Sequence, residues 1–398
     1  MGPGLFVTVG FIDPGNWATN IAAGSYYNYD LLWVVVLSTG VLILWQHMSA
    51  HLGIVKRKCL AEAIHDNFNL FWKSVFGYSA MAACIATALA EILGAGLGLN
   101  LLFHIPVKIA VVGSAMAVLA LLWYQKYGSI EKLIVGFVSI IGFCYFLELY
   151  MVKPDWNQVA IHSIVPKLNS ESIIIAMGVL GAVVMPHNMY LHSEVIQNRD
   201  WTASDEKETR KLLRFEFLDT LTAMLIGMAI NAAMVIVAAA VFHKNGIKVN
   251  DLTQASATLR PLVNQWAEII FGVALLCAGL SSSVTAAIAG GTTFCGYLGK
   301  ETDLAKNWFK FGALLTIIPA AIIIMYIGDV FKALIVSQVC LSIQLPFTML
   351  PLYLLTSSKK VMGKYRNGWF ENSTMIITGI IIIFLNFLLI YKFFGGIF

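Results

Sequence analysis

The chain has 398 residues, of which 59% are hydrophobic and only 12% charged, and its mean hydropathy is +0.78. About a quarter of residues are charged in an ordinary soluble domain, so the composition lies far outside the soluble range and leaves no room for a sizeable soluble domain. The net charge of +4 says nothing of nucleic acid, because most of the basic residues fall in connections between apolar runs.

Eleven of these runs have the roughly 20 residues needed to cross a bilayer. They lie at 4–25, 31–54, 77–103, 107–125, 131–152, 172–195, 212–242, 264–297, 308–327, 329–356 and 373–396. The expectation is an all-α membrane protein with eleven transmembrane helices. No cleavable signal peptide is expected, since the first run lacks a basic leader and a small-residue cleavage site. With the N-terminus in the cytosol and sides alternating, 18 Lys and Arg fall inside and 8 outside. That excess predicts a cytosolic N-terminus and an extracellular C-terminus, in the plasma (inner) membrane.

Segment one contains "VGFIDPGNWATN", residues 9–20. Pro14 has no N–H, and its ring crowds the carbonyl of Gly10. Irregular backbone at membrane depth survives where it lines a cavity or binds something, and an intramembrane carboxylate such as Asp13 is functional by default. Segment three carries one acidic residue, Glu91, on an otherwise apolar helix, which suits a proton carrier. Segment six reads "GVLGAVVMPHNMYLHS", in which Pro186 frees the carbonyl of Ala182. Segments one and six share the pattern x-P-x-N, with the two prolines 172 positions apart. Interrupted helices at matching positions in two halves point to a transporter with inverted repeats and a midplane site. Five helices per repeat is an odd number, so the second set runs through the membrane in the opposite direction. This is the LeuT-type 5+5 arrangement, with repeats at 1–152 and 172–356, an extracellular loop at 153–171 and an additional helix at 373–396.

The run "RDWTASDEKETRK" after segment six reads as a solvated loop. His187 and His192 are five apart, which fails the spacing of a zincin H-E-x-x-H site. His192 and Glu194, below the break, suit either an exit relay or a helix-end cap. Glu148, Asp219 and Asn231 suit buried pairs between helices, and "SSSVT" at 281–285 suits close packing. The six scattered cysteines contain no CxxC, so neither a disulfide nor a zinc site is expected.

At the two breaks the converging groups are the Asp13 carboxylate, the Asn16 amide oxygen, the carbonyls of Gly10 and Ala182, and the Met185 thioether. The carboxylate calls for a cation. Oxygens mixed with one soft sulfur suit a divalent transition metal, since Mg²⁺ and Ca²⁺ prefer all-oxygen shells.

"DPGNWATN" and "AVVMPHNMYLHS" resemble the signature motifs of the Nramp divalent metal transporter family. "LWQHMSAHLG", "LAEILGAGLGLNLL", "LLCAGLSSSVTAAIAG" and "LIVSQVCLSIQLPFTMLPL" are family-like too, so the resemblance covers essentially the whole chain. It implies the LeuT fold and proton-coupled import of Mn²⁺, Fe²⁺ and related ions such as Cd²⁺ and Co²⁺. It assigns the metal to Asp13, Asn16, Met185 and the Ala182 carbonyl, joined in some states by the Gly10 carbonyl and Gln338, and it places Gln46 near an outer vestibule. It implies a proton route through His187 and Glu91, with His192 a further candidate. It also implies divalent ions and lipid as partners and no prosthetic group or nucleic acid; a monomer is expected.

The chain departs from the family in that route. Ala88 stands where the aspartate of a D-x-x-E pair is expected. Phe311, Gly312 and Ala313 occupy the region of expected arginines, with only Lys310 nearby. Proton coupling is therefore expected to be weak or altered. A magnesium-transporting branch of the family is marked by loss of the methionine, which is present here as Met185; broader selectivity including Mg²⁺ is the alternative within the family. Among other classes, a primary pump lacks its phosphate-binding motif. An organic-substrate symporter of the same fold would not place an aspartate where a substrate carboxylate docks.

Overall fold

In the computed structural model of the chain, the residues described are 13–124, 142–143, 145–198, 205–258 and 266–395. Helices dominate, and among the described residues there is no strand. The elements are α1 (Pro14–Tyr27), α2 (Leu32–Lys56), α3 (Leu60–Asn67), α4 (Leu70–Phe103), α5 (Val107–Tyr124), α6 (Trp156–Ile164), α7 (Ile173–Val183), α8 (Pro186–Asn198), α9 (Glu206–Val241), α10 (Ala267–Tyr297), α11 (Asn307–Tyr326), α12 (Val330–Ser357) and α13 (Trp369–Phe393).

Eight spans among the described residues are long and apolar enough to cross a membrane, with Val107–Trp123 as a shorter ninth. One of the eight, Ile173–Gln197, is the pair α7–α8 interrupted at Val184–Met185. Segment five falls largely on residues outside those described, as does the first half of segment one.

Burial separates the centre from the rim. The α7–α8 span is 94% buried, whereas α13 is 28% buried with the highest mean hydropathy, 2.5. An apolar helix that leaves most of its surface uncovered is solvated by lipid, while a central one packs on protein. The inner helices approach closely through small residues: a Cβ on Gly279 of α10 would lie 2.6 Å from the Glu91 carbonyl of α4, and one on Gly98 would lie 2.5 Å from the Leu276 backbone nitrogen. Large side chains fill the remaining space, as where Trp17 of α1 meets Phe271 of α10 with ring centroids 5.0 Å apart.

Three boundaries differ from the sequence reading. Residues 206–211 of the expected loop "RDWTASDEKETRK" are the first turns of α9. Asp205 caps them, accepting from Glu208 N at 2.7 Å, and Glu206 pairs with Arg210 one turn on at 2.8 Å and with Lys364. A side-chain cap and an i,i+4 ion pair stabilise a charged helix end in water, which hydropathy does not register. Helix α4 likewise starts seven residues before its apolar run, where Asn69 accepts from Trp72 N at 3.1 Å. The 153–171 connection contains α6, capped by Asp155.

Candidate functional site

The break in segment one is a helix start. Asp13 is the N-cap of α1, and its Oδ1 accepts from Asn16 N at 2.6 Å; Pro14 occupies the first turn. Proline is tolerated there because its missing N–H would have had no intrahelical acceptor. Pro14 sits on α4: a Cβ at Gly94 would lie 2.1 Å from Pro14 Cγ. That contact anchors the start of α1 one turn from Glu91.

The second break is assembled from two helix ends. α7 finishes at Val183 and α8 starts at Pro186. The carbonyls closing α7 carry the negative end of its dipole. One of them, on Ala182, accepts from Asn16 Nδ2 at 2.9 Å, and the same Nδ2 reaches Asp13 Oδ2 at 3.2 Å. A single amide thus ties the cap of α1 to the end of α7, across 166 residues.

Two acceptor oxygens are left over. Asn16 Oδ1 and Gln338 Oε1 are buried and have no hydrogen-bond partner, and both residues are 0% exposed. Buried acceptors ordinarily find a donor, so this pair beside a buried carboxylate forms a donor set suited to a cation. Gln338 of α12 lies directly over the α1 backbone, since a Cβ on Gly15 would fall 2.0 Å from Gln338 Nε2. The α12 backbone closes on α7 in the same region: a Cβ on Gly181 would lie 1.9 Å from the Gln338 carbonyl.

Of the expected ligands, Asp13, Asn16, Ala182 and Gln338 therefore come together around the start of α1. Met185 is buried three residues beyond Ala182, and its Sδ accepts from Asn188 Nδ2 at 3.3 Å. Gly10 lies outside the described residues. The Ala182 carbonyl is occupied by Asn16 rather than free, so a cation taking it must first turn the Asn16 amide, which would present Oδ1.

The expected proton groups are placed as follows. Glu91 is buried, and its carboxylate faces Asp13 without meeting hydrogen-bond geometry. His187 Nδ1 pairs with the hydroxyl of Thr87 at 3.0 Å, next to Ala88. His192 belongs to a separate buried cluster. Its Nδ1 pairs with Gln46 Oε1 at 2.9 Å, its Nε2 lies 3.8 Å from Glu216 Oε1, and Glu216 also binds His47. Gln46 therefore packs against α8. Glu194 takes the Thr302 hydroxyl at 2.8 Å. Lys310 places its ammonium 5.1 Å from the centre of the Trp123 ring. Asn231 pairs with Asn20 at 2.7 Å, a contact between helices as expected. Glu148 is buried with neither oxygen hydrogen-bonded.

Sequence reading missed Thr87, Gly15 and Glu216. A signal existed for the last: His47 and His51 at i,i+4 on an apolar helix call for a buried partner.

A family model described as natural resistance-associated macrophage protein-like matches residues 4–392. The chain is 40% identical over 396 residues to a divalent metal cation transporter MntH of Caldanaerobacter subterraneus subsp. tengcongensis, covering 98% of this chain and 92% of that protein. It is 39% identical to the protein of the same name from Bacillus subtilis, with 98% and 91% covered. A crystal structure of a mutant Eremococcus coleocola manganese transporter superposes with a TM-score of 0.79 at 30% identity, covering 99% of this chain and 87% of that one. Mhp1, a nucleobase-cation-symport-1 family transporter in a closed conformation, superposes at 0.61 with 15% identity over 98% of this chain and 92% of its own; that likeness shows a shared fold alone.

Proposed function

This chain belongs to the natural resistance-associated macrophage protein (Nramp) family of membrane transporters, and from that premise we propose that it is a secondary-active importer of divalent transition metal ions. Mn²⁺ and Fe²⁺ are the principal cargo, with Cd²⁺ and Co²⁺ also carried. The ion sits at the midplane between α1 and the α7–α8 break. Asp13 supplies the charge, Asn16, Gln338 and the carbonyls of Ala182 and Gly10 supply oxygens, and Met185 supplies sulfur.

The observation that carries this reading is the pair of orphaned acceptors, Asn16 Oδ1 and Gln338 Oε1, beside the buried Asp13. An organic-substrate symporter needs free N–H groups at this helix start for a substrate carboxylate. Asp13 already takes the Asn16 N–H and would repel a second carboxylate. Sulfur is a poor partner for hard ions, so Met185 disfavours Mg²⁺ and Ca²⁺.

The distribution of basic residues orients the chain with its N-terminus in the cytosol, so that α8 and the start of α9 lie on the cytosolic side. Transport alternates access by rocking one repeat (1–152) against the other (172–356), with residues 373–396 as an addition, in a monomer in the plasma membrane. Proton coupling is weak. Ala88 leaves a gap beside Glu91, and Lys310 lies over Trp123 and does not complete an ion-pair network. Uptake then runs mainly on the membrane potential and the metal gradient.

Calorimetry with Mn²⁺ and Cd²⁺ on the purified chain, paired with uptake into liposomes, tests the reading. Asp13→Ala should abolish both binding at the midplane and uptake, because no other acidic group of the breaks offsets a divalent charge. Saturable Mn²⁺ uptake in that variant would show that the site is misplaced.

A further inference from the structure

A second group of metal-ligating side chains lies on the cytosolic side, apart from the midplane. Cys59 precedes α3, Glu62 is in its first turn and Glu194 is on α8. Their ligand atoms, one from each residue, all lie within 4.8 Å of one another. Cys59 is 0% and Glu194 4% exposed. Thr302, from the connection between α10 and α11, adds a hydroxyl to Glu194 at 2.8 Å. Three pieces of chain thus bring one sulfur and three side-chain oxygen groups to one place.

We propose that Cys59, Glu62 and Glu194 form a second site for thiophilic divalent ions, which receives the ion as it leaves the midplane. Its role as an exit station rests on the transport reading above; its existence as a site does not. Glu194 is eight residues past Pro186, about 12 Å along α8 at 1.5 Å per residue, so the helix that begins at the midplane break ends beside this cluster.

The donor set selects the ion. One thiolate with carboxylates suits Zn²⁺, Cd²⁺ and Fe²⁺, and tolerates Mn²⁺ less well. Donors held at about 2.0–2.3 Å by a tetrahedral ion are roughly 3.3–3.8 Å apart, so about 1 Å of contraction completes the shell. Binding of a divalent ion would displace the thiol proton to water as the Sγ–metal bond forms. Glu62 also accepts from Cys59 N at 2.8 Å, which holds carboxylate and thiol on the same turn. Sequence spacing concealed the group, because Glu194 is 135 residues from Cys59.

The test uses the full chain carrying Asp13→Ala and Met185→Ala, titrated with Cd²⁺ by calorimetry and ultraviolet absorption. About one equivalent of Cd²⁺ should remain, with a sulfur-to-cadmium charge-transfer band. Adding Cys59→Ser should remove the band, and Glu194→Gln should weaken binding about tenfold, within the range for perturbed metal shells. Cys59→Ala must match Cys59→Ser, which guards against a folding defect in either; each variant is compared at an unchanged gel-filtration profile. A chain that shows no band, or a band that survives both Cys59 variants, overturns the proposal. If Asp13→Ala leaves the unmutated stoichiometry intact while the band tracks Cys59, it is the midplane assignment that fails and this one that stands.

Discussion

Gly15→Ala is the sharpest probe of the midplane site, because it adds one methyl and touches one ligand. The new Cβ would lie 2.0 Å from Gln338 Nε2, 2.5 Å from Cδ and 3.1 Å from Cγ. Real Cβ contacts are not that short, and every near atom belongs to a flexible side chain, so the Gln338 amide swings away and the backbone stays. Gly15 has no left-handed backbone, so alanine fits its conformation and is worth up to about 1 kcal/mol of helix stability. Folding is therefore unharmed, while the ion loses one neutral oxygen. We expect Mn²⁺ affinity to fall about tenfold, or about 1.4 kcal/mol. Gln338→Ala should cost the same, and the double variant little more than either, because both remove one interaction. Calorimetry on the four proteins measures the cycle. Full Mn²⁺ affinity in Gly15→Ala would refute the placement of Gln338 in the shell; equal but additive losses would mean the two act separately.

Other outcomes follow from the same geometry. Met185→Ala leaves only oxygens, so Cd²⁺ affinity should drop more than Mn²⁺ affinity and Mg²⁺ or Ca²⁺ should begin to compete, as read by competition uptake; Mg²⁺ competing equally in the unmutated chain would contradict a sulfur filter. Mn²⁺ entering dye-loaded liposomes should bring little acidification, and Glu91→Gln should change that little further. Robust proton entry that vanishes in Glu91→Gln would mean a complete route survives despite Ala88. Gly181→Ala should destabilise the fold by about 1–3 kcal/mol or more, since its Cβ meets the Gln338 carbonyl at 1.9 Å and Ser342 N at 2.8 Å, which are backbone atoms that cannot rotate aside; thermal unfolding in detergent reads this out.

Much was legible in the order of residues alone. Hydropathy specifies the solvent of each segment, and both are properties of consecutive residues. Pro14 and Pro186 mark helix starts wherever they occur, because the missing N–H is local chemistry. Asp13 stands out as a functional candidate for the same reason, since a carboxylate at membrane depth is costly without a partner whatever the packing. Capping was legible only in principle: Asp205 and Asn69 extend α9 and α4 beyond their apolar runs through side-chain hydrogen bonds that hydropathy ignores.

What the tertiary structure decided are the convergences. That Asn16 spends its amide on both Asp13 and Ala182, that Gln338 lies on Gly15, and that Cys59 meets Glu194 depend on helices packed close enough for one side chain to bridge them. Lys310 shows the reverse, standing beside the expected arginine positions in sequence yet packed on the Trp123 ring in space. Helix rotation and interhelical distance are set by the sum of many small contacts between distant segments, and no window of consecutive residues contains that sum.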